Sequence, residues 1–449
     1  MVTIQSRRRI DPDPGFVRSF AKRAQDLPGA ASPLLRRLRA ERLERFMELG
    51  VPTRRDEAWR FSDAARHANR PAGPPALVEL ALQRILPHLL GGPKARRLVF
   101  VNGRLQPQWS HVGGLPEGAR VESLARAAEA RPEALAAALA GPDGGRSFTA
   151  LNAAFSDCGA WVEIGPGVEL ADPLQLLFVT VGDAAPGMIH PRVRIRLGDG
   201  AALELIESHV GIGPGPVLTN LVLETELGAG ARLTHDRLQT LAAEATFIGR
   251  IEARLAAEAR YRQTTVVAGG ALVRNESEIR IQGSGVECML AGVAMPLGRE
   301  QVDTLVRMHH EAPGSHSDQS FRSIVDERAH SAFAGKILVH PGAQGTNAYQ
   351  KSDNLLLSEE GEVDIKPELE IYADDVKCSH GATCGDLDPA ALFYLRARGL
   401  APETARALLT WAFAAELVER LAGPTVRQAA RRALAARLPG GAVPLEEAA

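Results

Sequence analysis

Sulfur, aromatic rings and long apolar runs are all scarce in this sequence of 449 residues. Its four cysteines are too few and too scattered to form a disulfide framework, and they favour a reducing cytoplasm. Aromatic residues make up only 5% of the chain, which is little for a protein that stacks sugars or bases along a groove. No stretch of about 18 apolar residues occurs, so we expect no membrane span.

An excess of charge of either sign is also absent. Lysine and arginine total 52 against 54 for aspartate and glutamate, which gives a formal charge of -2. This balance argues against a general binder of nucleic acid or anionic membranes, so we expect neither as a partner. The first 17 residues contain three consecutive arginines but no apolar run that would serve as a signal peptide. We therefore expect a cytoplasmic protein.

Nucleotide and nucleophile motifs are missing as well. Neither the phosphate-binding pattern G-x4-G-K-[ST] nor the nucleophile elbow G-x-S-x-G occurs. The Gly-x-Gly triplets of the repeated corners described next are explained by tight turning. If nucleotide hydrolysis serves this protein, a partner must supply it.

A seven-residue corner recurs through the middle of the chain. Its copies are 27 to 33 residues apart, and each links two segments in which apolar and polar residues alternate as in strands. A drifting period near 30 is typical of stacked units that bury one another's apolar faces and edges, so we predict a β-solenoid. A sandwich of antiparallel hairpins is the alternative. The copies begin at Ile164, Leu197, Leu227, Leu255 and Gln282.

Helical patterns flank this β-rich part. We predict an α-rich N-terminal region over residues 1–145, the solenoid core over 146–385 and a C-terminal helical region over 386–449. The last region must dock its apolar face on the end of the solenoid or on another chain. The predicted elements are helices from Pro33 to a stop at Gly50, over 76–90 and over 121–140, a hairpin at Asn102-Gly103, and helices over 389–398, 402–422 and 425–438.

Residues 374–385 hold the densest group of ligand-type side chains. If this segment is a strand, Cys378 and His380 project from one face. Lys377 would help a thiolate to form, and a thiolate with an imidazole suits iron or zinc. One cysteine and one histidine make at most half of a closed site, so Cys384 with another residue, or a second chain, must supply the rest. The spacing C-x-H-x3-C is not a standard zinc spacing, and taken alone it favours the alternative of a small buried cysteine and a hydrogen-bonded structural histidine.

A second histidine group lies at residues 308–316. It contains His309, His310 and His316 together with one carboxylate. Two-residue alternation brings His310 and His316 to one face only if the intervening turn keeps the register. We therefore favour a polar ladder, solvated or lining the solenoid, over a metal site.

Several segments carry a resemblance to a known family. They are FAGKILV (333–339), PGAQ (341–344), NLLLS (354–358), PELEIYADDVKCSHGAT (367–383) and FYLRARG (393–399), with weaker support from PTRRDEAWR (52–60) and FTALN (148–152). Together they closely resemble the SufD subunits of the SUF iron–sulfur cluster assembly system. The related SufB subunits carry Glu-His-Glu-Ala where this chain reads CSHG over 378–381, so the SufD type is the better match.

This resemblance implies a right-handed parallel β-helix between helical ends. It also implies a non-catalytic scaffold subunit that pairs with SufB through the β-helix and binds the ATPase SufC through the C-terminal helical region, about 387–440. His380 matches the histidine that faces an essential SufB cysteine across the interface, which makes it the best candidate ligand for a nascent cluster. Cys378 belongs to the same motif, whereas Cys384 lies outside the pattern.

The same resemblance implies that the chain holds no cofactor alone and that the cluster is transient at the SufB interface. A cysteine desulfurase system would feed the complex, reduced flavin would bind to either of the two chains, and a homodimer of the isolated chain is a further expectation. Two other hypotheses stay open, a solenoid enzyme such as a polysaccharide lyase or an acyltransferase, and a purely structural interaction protein. The chain lacks the six-residue repeat of hexapeptide acyltransferases.

Overall fold

Two long, almost wholly parallel sheets form the body of the protein. The computed structural model describes residues 9–182 and 185–438, so the outermost residues of the first and third predicted regions lie outside the described residues. From β9 (Pro191–Leu197) onward, successive strands alternate between the sheets, and from β11 (Val217–Leu227) onward each pairs in parallel with the strand two places earlier in the chain. The result is a parallel β-solenoid of about eight turns. This confirms the predicted solenoid and excludes the antiparallel sandwich.

The first sheet has the order β22-β20-β18-β16-β14-β12-β10-β7-β3-β4, and the second has the order β21-β19-β17-β15-β13-β11-β9-β6-β5 with β8 beside β11. The hairpin predicted at Asn102-Gly103 is confirmed between β3 and β4, where both residues have positive φ. The strands are β1 (Arg9–Ile10), β2 (Val51–Pro52), β3 (Arg96–Val101), β4 (Arg104–Leu105), β5 (Ala119–Ser123), β6 (Cys158–Ile164), β7 (Leu174–Val181), β8 (Gly187–Ile189), β9 (Pro191–Leu197), β10 (Ala202–Ile212), β11 (Val217–Leu227), β12 (Arg232–Thr240), β13 (Thr246–Leu255), β14 (Arg260–Ala268), β15 (Leu272–Ile281), β16 (Glu287–Ala294), β17 (Gln301–His310), β18 (His316–Val325), β19 (His330–Val339), β20 (Thr346–Leu356), β21 (Glu362–Ile371) and β22 (Val376–Gly385).

Helices lie in both terminal regions, as expected. The predicted helix from Pro33 is confirmed as α2, in which the Ser32 hydroxyl accepts from the Leu35 N–H and Gly50, at φ 72°, ends the helix. No helix in the described part of the chain is long and apolar enough to cross a membrane. The helices are α1 (Gly15–Arg23), α2 (Pro33–Leu49), α3 (Ala64–Ala68), α4 (Leu82–Ile85), α5 (Leu124–Ala130), α6 (Pro132–Ala140), α7 (Ser147–Phe155), α8 (Pro389–Ala397), α9 (Pro402–Val418) and α10 (Pro424–Ala435).

Two predicted N-terminal helices are wrong in part. Of the second, only Leu82–Ile85 is α-helical, and it stops because Pro87 has no N–H to continue the hydrogen-bond ladder. The third, over 121–140, begins as strand β5 and then splits into α5 and α6. Pro132 disfavours the helical conformation for the residue before it, and Arg131 accordingly lies at φ -145°, ψ 62°.

The recurring corners join strands of the second sheet to the next strands of the first. Neighbouring corners stack through backbone hydrogen bonds, such as the 2.7 Å bond from the Gly200 N–H to the Ala229 carbonyl. Glycine adopts positive φ at little cost, and Glu258 adopts it in the copy that has no glycine there because its neighbours fix the turn. The fourth residue of each corner has positive φ: Gly167 (71°), Gly200 (68°), Gly230 (64°), Glu258 (59°) and Gly285 (69°).

The C-terminal helices pack on the side of the solenoid rather than on its end. Helix α9 contacts β16 and β18, and α10 contacts β12 and β14, all in the first sheet. Trp411, Leu417 and Leu434 from these helices pack with outward side chains of the sheet, including Leu238 and Ile324, in one buried cluster. Helix α8, by contrast, contains no buried residue. The N-terminal helices cover the outer face of the early coils of the second sheet in the same way.

A carboxylate on β12 fixes the C-terminal helices to the solenoid. Asp236 Oδ2 accepts hydrogen bonds from the backbone N–H groups of Ala422 and Gly423, between α9 and α10, at 2.9 and 3.4 Å. Burial raises the pKa of Asp236 from its ordinary 3.8 to about 6, although these two bonds oppose the shift. A carboxyl with a raised pKa favours folding most when it is protonated. The contribution of Asp236 to the free energy of unfolding is fully present below about pH 4 and is lost as the pH rises through 6.

Asp236→Asn is expected to remove this pH dependence, because an amide does not ionise. Between pH 4 and pH 7 the wild type should lose up to about 3 kcal/mol of stability that the variant does not lose. The stability of the variant relative to the wild type should therefore increase by that amount. Urea unfolding at several pH values measures this difference. Asp199→Asn, on an exposed corner, is the matched control for an aspartate-to-asparagine change away from the C-terminal helices. A difference for Asp236→Asn that stays flat or falls over this range would contradict the assignment.

Candidate metal-ligand site at the open end of the solenoid

Both sheets end, on the C-terminal side, in a strand with one unpaired edge. Strand β22 closes the first sheet and β21 the second, and within the described residues no strand pairs with their outer edges. Most residues of β22 are exposed, whereas most of β20, one coil deeper, are buried or half-buried. Tyr372, which follows β21, is 62% exposed. A long edge of free N–H and C=O groups beside exposed apolar side chains is suited to pairing with another chain.

Strand β22 directs Cys378 and His380 toward the interior of the solenoid. Their register partners on β20 are Ala348 and Gln350, which are 0% and 2% exposed, while Ser379 lies on the opposite face. The one-face arrangement expected from strand alternation is confirmed. No further coil follows β22 in the described residues, so His380 remains exposed at the open end.

The thiol of Cys378 is half-buried and packs partly against the solenoid core. Burial raises the pKa of this thiol above its ordinary 9.0, which outweighs a hydrogen bond with the backbone of Ala348. Lys377 does not favour the thiolate of Cys378 as expected, because adjacent residues of a strand point to opposite faces. Cys378 is therefore a protonated thiol at neutral pH, and a metal ion is needed to displace its proton.

His380 lies at the end of a column of interior amides. Gln350 is one coil below it and Gln319 one coil further, and Gln350 Nε2 donates to Gln319 Oε1 at 3.1 Å. Gly335 on the facing sheet makes room for this amide, since a Cβ there would lie 2.0 Å from Gln350 Nε2. Gln350 Oε1 is buried and has no hydrogen-bond partner. An unused acceptor one coil below His380 is suited to receive a ring N–H and orient the imidazole.

These glutamines were not among the residues predicted from the sequence. Their signal was present, because Gln319, Gln350 and His380 recur at the same period near 30 as the glycine corners. A polar residue that repeats at the solenoid period on an inward position is buried, and buried amides require hydrogen-bond partners.

The three histidines near the end of β17 occupy different environments. His310 faces the interior, where its Nε2 is 2.9 Å from Ser317 Oγ and burial lowers its pKa to about 4. His316 begins β18, and its ring centroid is 6.0 Å from that of Tyr349. His309 is half-buried on the outer face of the second sheet. The lining role favoured from the sequence therefore fits His310, whereas His309 belongs to a separate outer group.

A second polar cluster is sealed inside the earlier coils. Glu207 binds the Nε2 atoms of His209 and His235 at 2.5 and 2.8 Å, and it lies 3.1 Å from Arg237 Nε. The other ring nitrogen of His235 is 3.2 Å from the Tyr261 hydroxyl. Burial alone would raise the pKa of Glu207, but the Arg237 charge and the two histidine hydrogen bonds hold it well below 4.5. This cluster lies on β10, β12 and β14, several coils from the open end, and is not part of the His380 site.

Comparison with known protein families gives two matches that together span most of the chain. The family model described as "SUF system FeS cluster assembly, SufBD core domain" matches residues 178–413. The model described as "SufBD protein N-terminal region" matches residues 93–176. The core match includes the solenoid from β7 to β22 and extends into α9.

Several curated proteins are similar to the chain over most of its length. The iron–sulfur cluster assembly SufBD family protein slr0076 of Synechocystis sp. is 34% identical over 382 residues, which is 83% of this chain and 84% of that protein. The iron–sulfur cluster assembly protein SufD of Escherichia coli is 31% identical over 409 residues, or 90% of this chain and 93% of that one. The chloroplastic protein ABCI7 of Arabidopsis thaliana is 28% identical over 427 residues, with coverages of 93% and 89%.

Proposed function

This chain belongs to the SufBD family of iron–sulfur cluster assembly proteins, and on that premise we propose that it is a non-catalytic, SufD-type scaffold subunit. An incomplete ligand set at an unpaired sheet edge supports this proposal most strongly. Cys378 and His380 supply two donors, and closed metal sites generally need four. The missing donors come from a second chain that pairs with the open end.

The partner at the open end is a SufB subunit. It adds its own strands beyond β21 and β22, and these strands form hydrogen bonds with the free backbone N–H and C=O groups of both edges. The same subunit places a cysteine opposite His380. A nascent cluster then forms between the two chains and is passed on, so this chain holds no cofactor alone. A cysteine desulfurase system supplies the sulfide, reduced flavin binds to one of the two subunits, and the whole process is cytoplasmic. Without SufB, we expect the same edges to pair two copies of this chain.

The ATPase partner SufC docks on the C-terminal helical region, residues 386–449. Helix α8 supports this placement, because it contains no buried residue and presents two aromatic rings to solvent. Phe393 is 74% exposed and Tyr394 57% exposed. Neighbouring exposed aromatic side chains are typical anchors of a protein interface.

Phe393→Ala is expected to weaken SufC binding at least about 10-fold, because truncating an aromatic anchor removes much of an interface's energy. Stability should change by less than about 0.5 kcal/mol, since the ring is exposed. Titration of labelled full-length chain with SufC measures the affinity. Tyr372→Ala, at the open end, is the reciprocal variant: it should weaken SufB binding and leave SufC binding unchanged. If either variant loses binding to both SufB and SufC, the two proteins do not dock on separate surfaces.

Gln350→Leu is expected to lower cluster formation in the reconstituted complex by about 10-fold, because leucine offers no acceptor to the imidazole of His380. We propose that Gln350 Oε1, which accepts no hydrogen bond from the described residues, accepts one from the His380 ring N–H when the cluster forms. Gln239→Leu is the matched control, since Gln239 is also a buried amide and exchanges hydrogen bonds with Asn275 in a different part of the interior. Circular dichroism checks that both variants fold. Equal cluster yields in the two variants would show that Gln350 has only a structural role.

Co-purification provides the direct test of the scaffold assignment. The tagged chain should retain SufB and SufC together in one stable complex, and the chain alone should hydrolyse no ATP. If the chain retains neither protein under reducing, oxygen-free conditions, the proposal is wrong.

A further inference from the structure

Three ligand-type side chains converge on the outer face of the second sheet. His309 near the end of β17, Glu311 just beyond it and His340 just beyond β19 each offer one ligand atom, and these atoms all lie within 4.8 Å of one another. The parallel stacking of β17 and β19 creates this juxtaposition, since the His340 N–H donates to the His310 carbonyl at 3.0 Å. Because His310 points into the interior, its neighbours on the strand point outward.

In the two imidazoles of this group, most ring nitrogens form no hydrogen bond with the described part of the protein. Both ring nitrogens of His309 and the Nε2 of His340 are buried and have no hydrogen-bond partner among residues 9–182 and 185–438. Leaving such polar atoms unsatisfied is unfavourable, so a ligand at this position would recover free energy.

Glu311 is held in place by its neighbours one coil below. Arg280 donates to Glu311 Oε1 at 2.6 Å, and Gln282 Nε2 donates to Oε2 at 3.2 Å. A second carboxylate, Glu278, lies with one oxygen 3.8 Å from His309 Nε2 and also accepts from Arg280 at 3.0 Å. The carboxylate of Glu311 is thus oriented as metal ligands commonly are, while the Arg280 charge competes with a cation.

We propose that His309, Glu311 and His340 bind a divalent transition-metal ion, with water in the remaining coordination positions. Two imidazole nitrogens and one carboxylate oxygen suit Fe(II) and Zn(II), and the absence of a thiolate disfavours Cu(I). Adjacent ligand atoms of a tetrahedral ion, each about 2.1 Å from the metal, are about 3.4 Å apart, so side chains of the group must move by about 1 Å to close around the ion.

One of the three ligands borders a cavity on the outer face of the second sheet. The cavity is about 680 Å³ in volume, and His309 lines it together with Leu338, Lys336 and Glu370. A hydrated ion would reach the site from the side of His309. The site is distinct from His380, which lies on the first sheet at the open end of the solenoid.

Binding of the metal stands independently of the scaffold function. A role for the site in holding iron for the growing cluster rests on the proposed function. The test therefore uses the isolated full-length chain and needs no partner, so its failure and the failure of the scaffold proposal are distinguishable.

Anaerobic titration with Co²⁺, followed by visible absorption and metal analysis, tests the proposal. We expect one Co²⁺ per chain with the bands of an ordered nitrogen and oxygen site. His340→Ala and Glu311→Gln should each weaken this binding at least about 10-fold. His330→Ala is the matched control, because His330 pairs with the single carboxylate of Asp364 at 2.9 Å and has no third ligand. His330→Ala and His380→Ala should both retain the bound Co²⁺.

Arg280→Gln is a variant in which the affinity of the site for Co²⁺ should increase. Removing the guanidinium frees the Glu311 carboxylate and eliminates a nearby positive charge, so Co²⁺ should bind several-fold more tightly. A gain in affinity with unchanged absorption bands, in a variant that circular dichroism shows to be folded, distinguishes the ordered site from metal binding by unfolded chain. The proposal is overturned if the wild type binds no Co²⁺, or if the affinity is the same in the wild type, His340→Ala and Glu311→Gln.

Discussion

His380→Ala is expected to leave the chain folded and the proposed complex with SufB and SufC assembled, yet to reduce the iron–sulfur cluster formed on that complex by at least about 10-fold. Its side chain is exposed on the last strand of the solenoid, so truncation should change stability by less than about 0.5 kcal/mol. The loss would come from the cluster, which loses an imidazole donor that the SufB side does not replace.

The measurement is anaerobic reconstitution followed by absorption spectroscopy and iron and sulfide analysis. Ser379→Ala is the matched control, because Ser379 neighbours His380 on the same strand but faces the opposite side. Cys378→Ala should lower the yield less than His380→Ala, since the thiol is half-buried and its raised pKa disfavours the thiolate. A full cluster yield with His380→Ala would remove His380 from the site.

Glu207→Leu is expected to destabilise the chain by about 3–5 kcal/mol, the usual cost of removing one partner from a buried ion pair. Glu207 is fully buried, and its loss leaves Arg237 uncompensated and two histidines without their acceptor. Denaturant unfolding measures the effect. Because the cluster lies several coils from His380, cluster formation per folded complex should not change.

The double variant Glu207→Leu/Arg237→Met should recover much of the lost stability, because it removes both charges instead of stranding one. The folded pKa of Glu207 is depressed, so its contribution is present above pH 4.5 and is lost as the pH falls through the folded value. The free energy of unfolding of Glu207→Gln should therefore decrease less with falling pH than that of the wild type. Equal stability of the single and double variants would contradict the ion-pair assignment.

The repeated corners allowed the fold to be predicted because their constraint is local. A tight turn between stacked strands needs a residue at positive φ, and glycine supplies it in four of the five copies, from Gly167 to Gly285. Helix α2 was predicted for the same reason, since Ser32 and Gly50 mark its ends within the sequence. The helix over 121–140 failed where the restriction that Pro132 places on Arg131 outweighs the helical periodicity around it.

Features that depend on contacts distant in sequence were not predictable in this way. The docking of the C-terminal helices on the side of the solenoid depends on Asp236, which lies 186 residues before its partner Ala422. The convergence of His309, Glu311 and His340 depends on the exact stacking of β17 and β19. Conversely, alternation along a single strand was enough to place Cys378 and His380 on one face.

Reconstitution with and without this chain tests the central claim most directly. SufB and SufC are supplied with iron, a cysteine desulfurase system and a reductant under anaerobic conditions, and the bound cluster is measured by absorption and iron analysis. The scaffold function predicts a cluster on the three-protein complex and little or none when this chain is omitted or carries His380→Ala. An equal amount of cluster on SufB and SufC alone would contradict it.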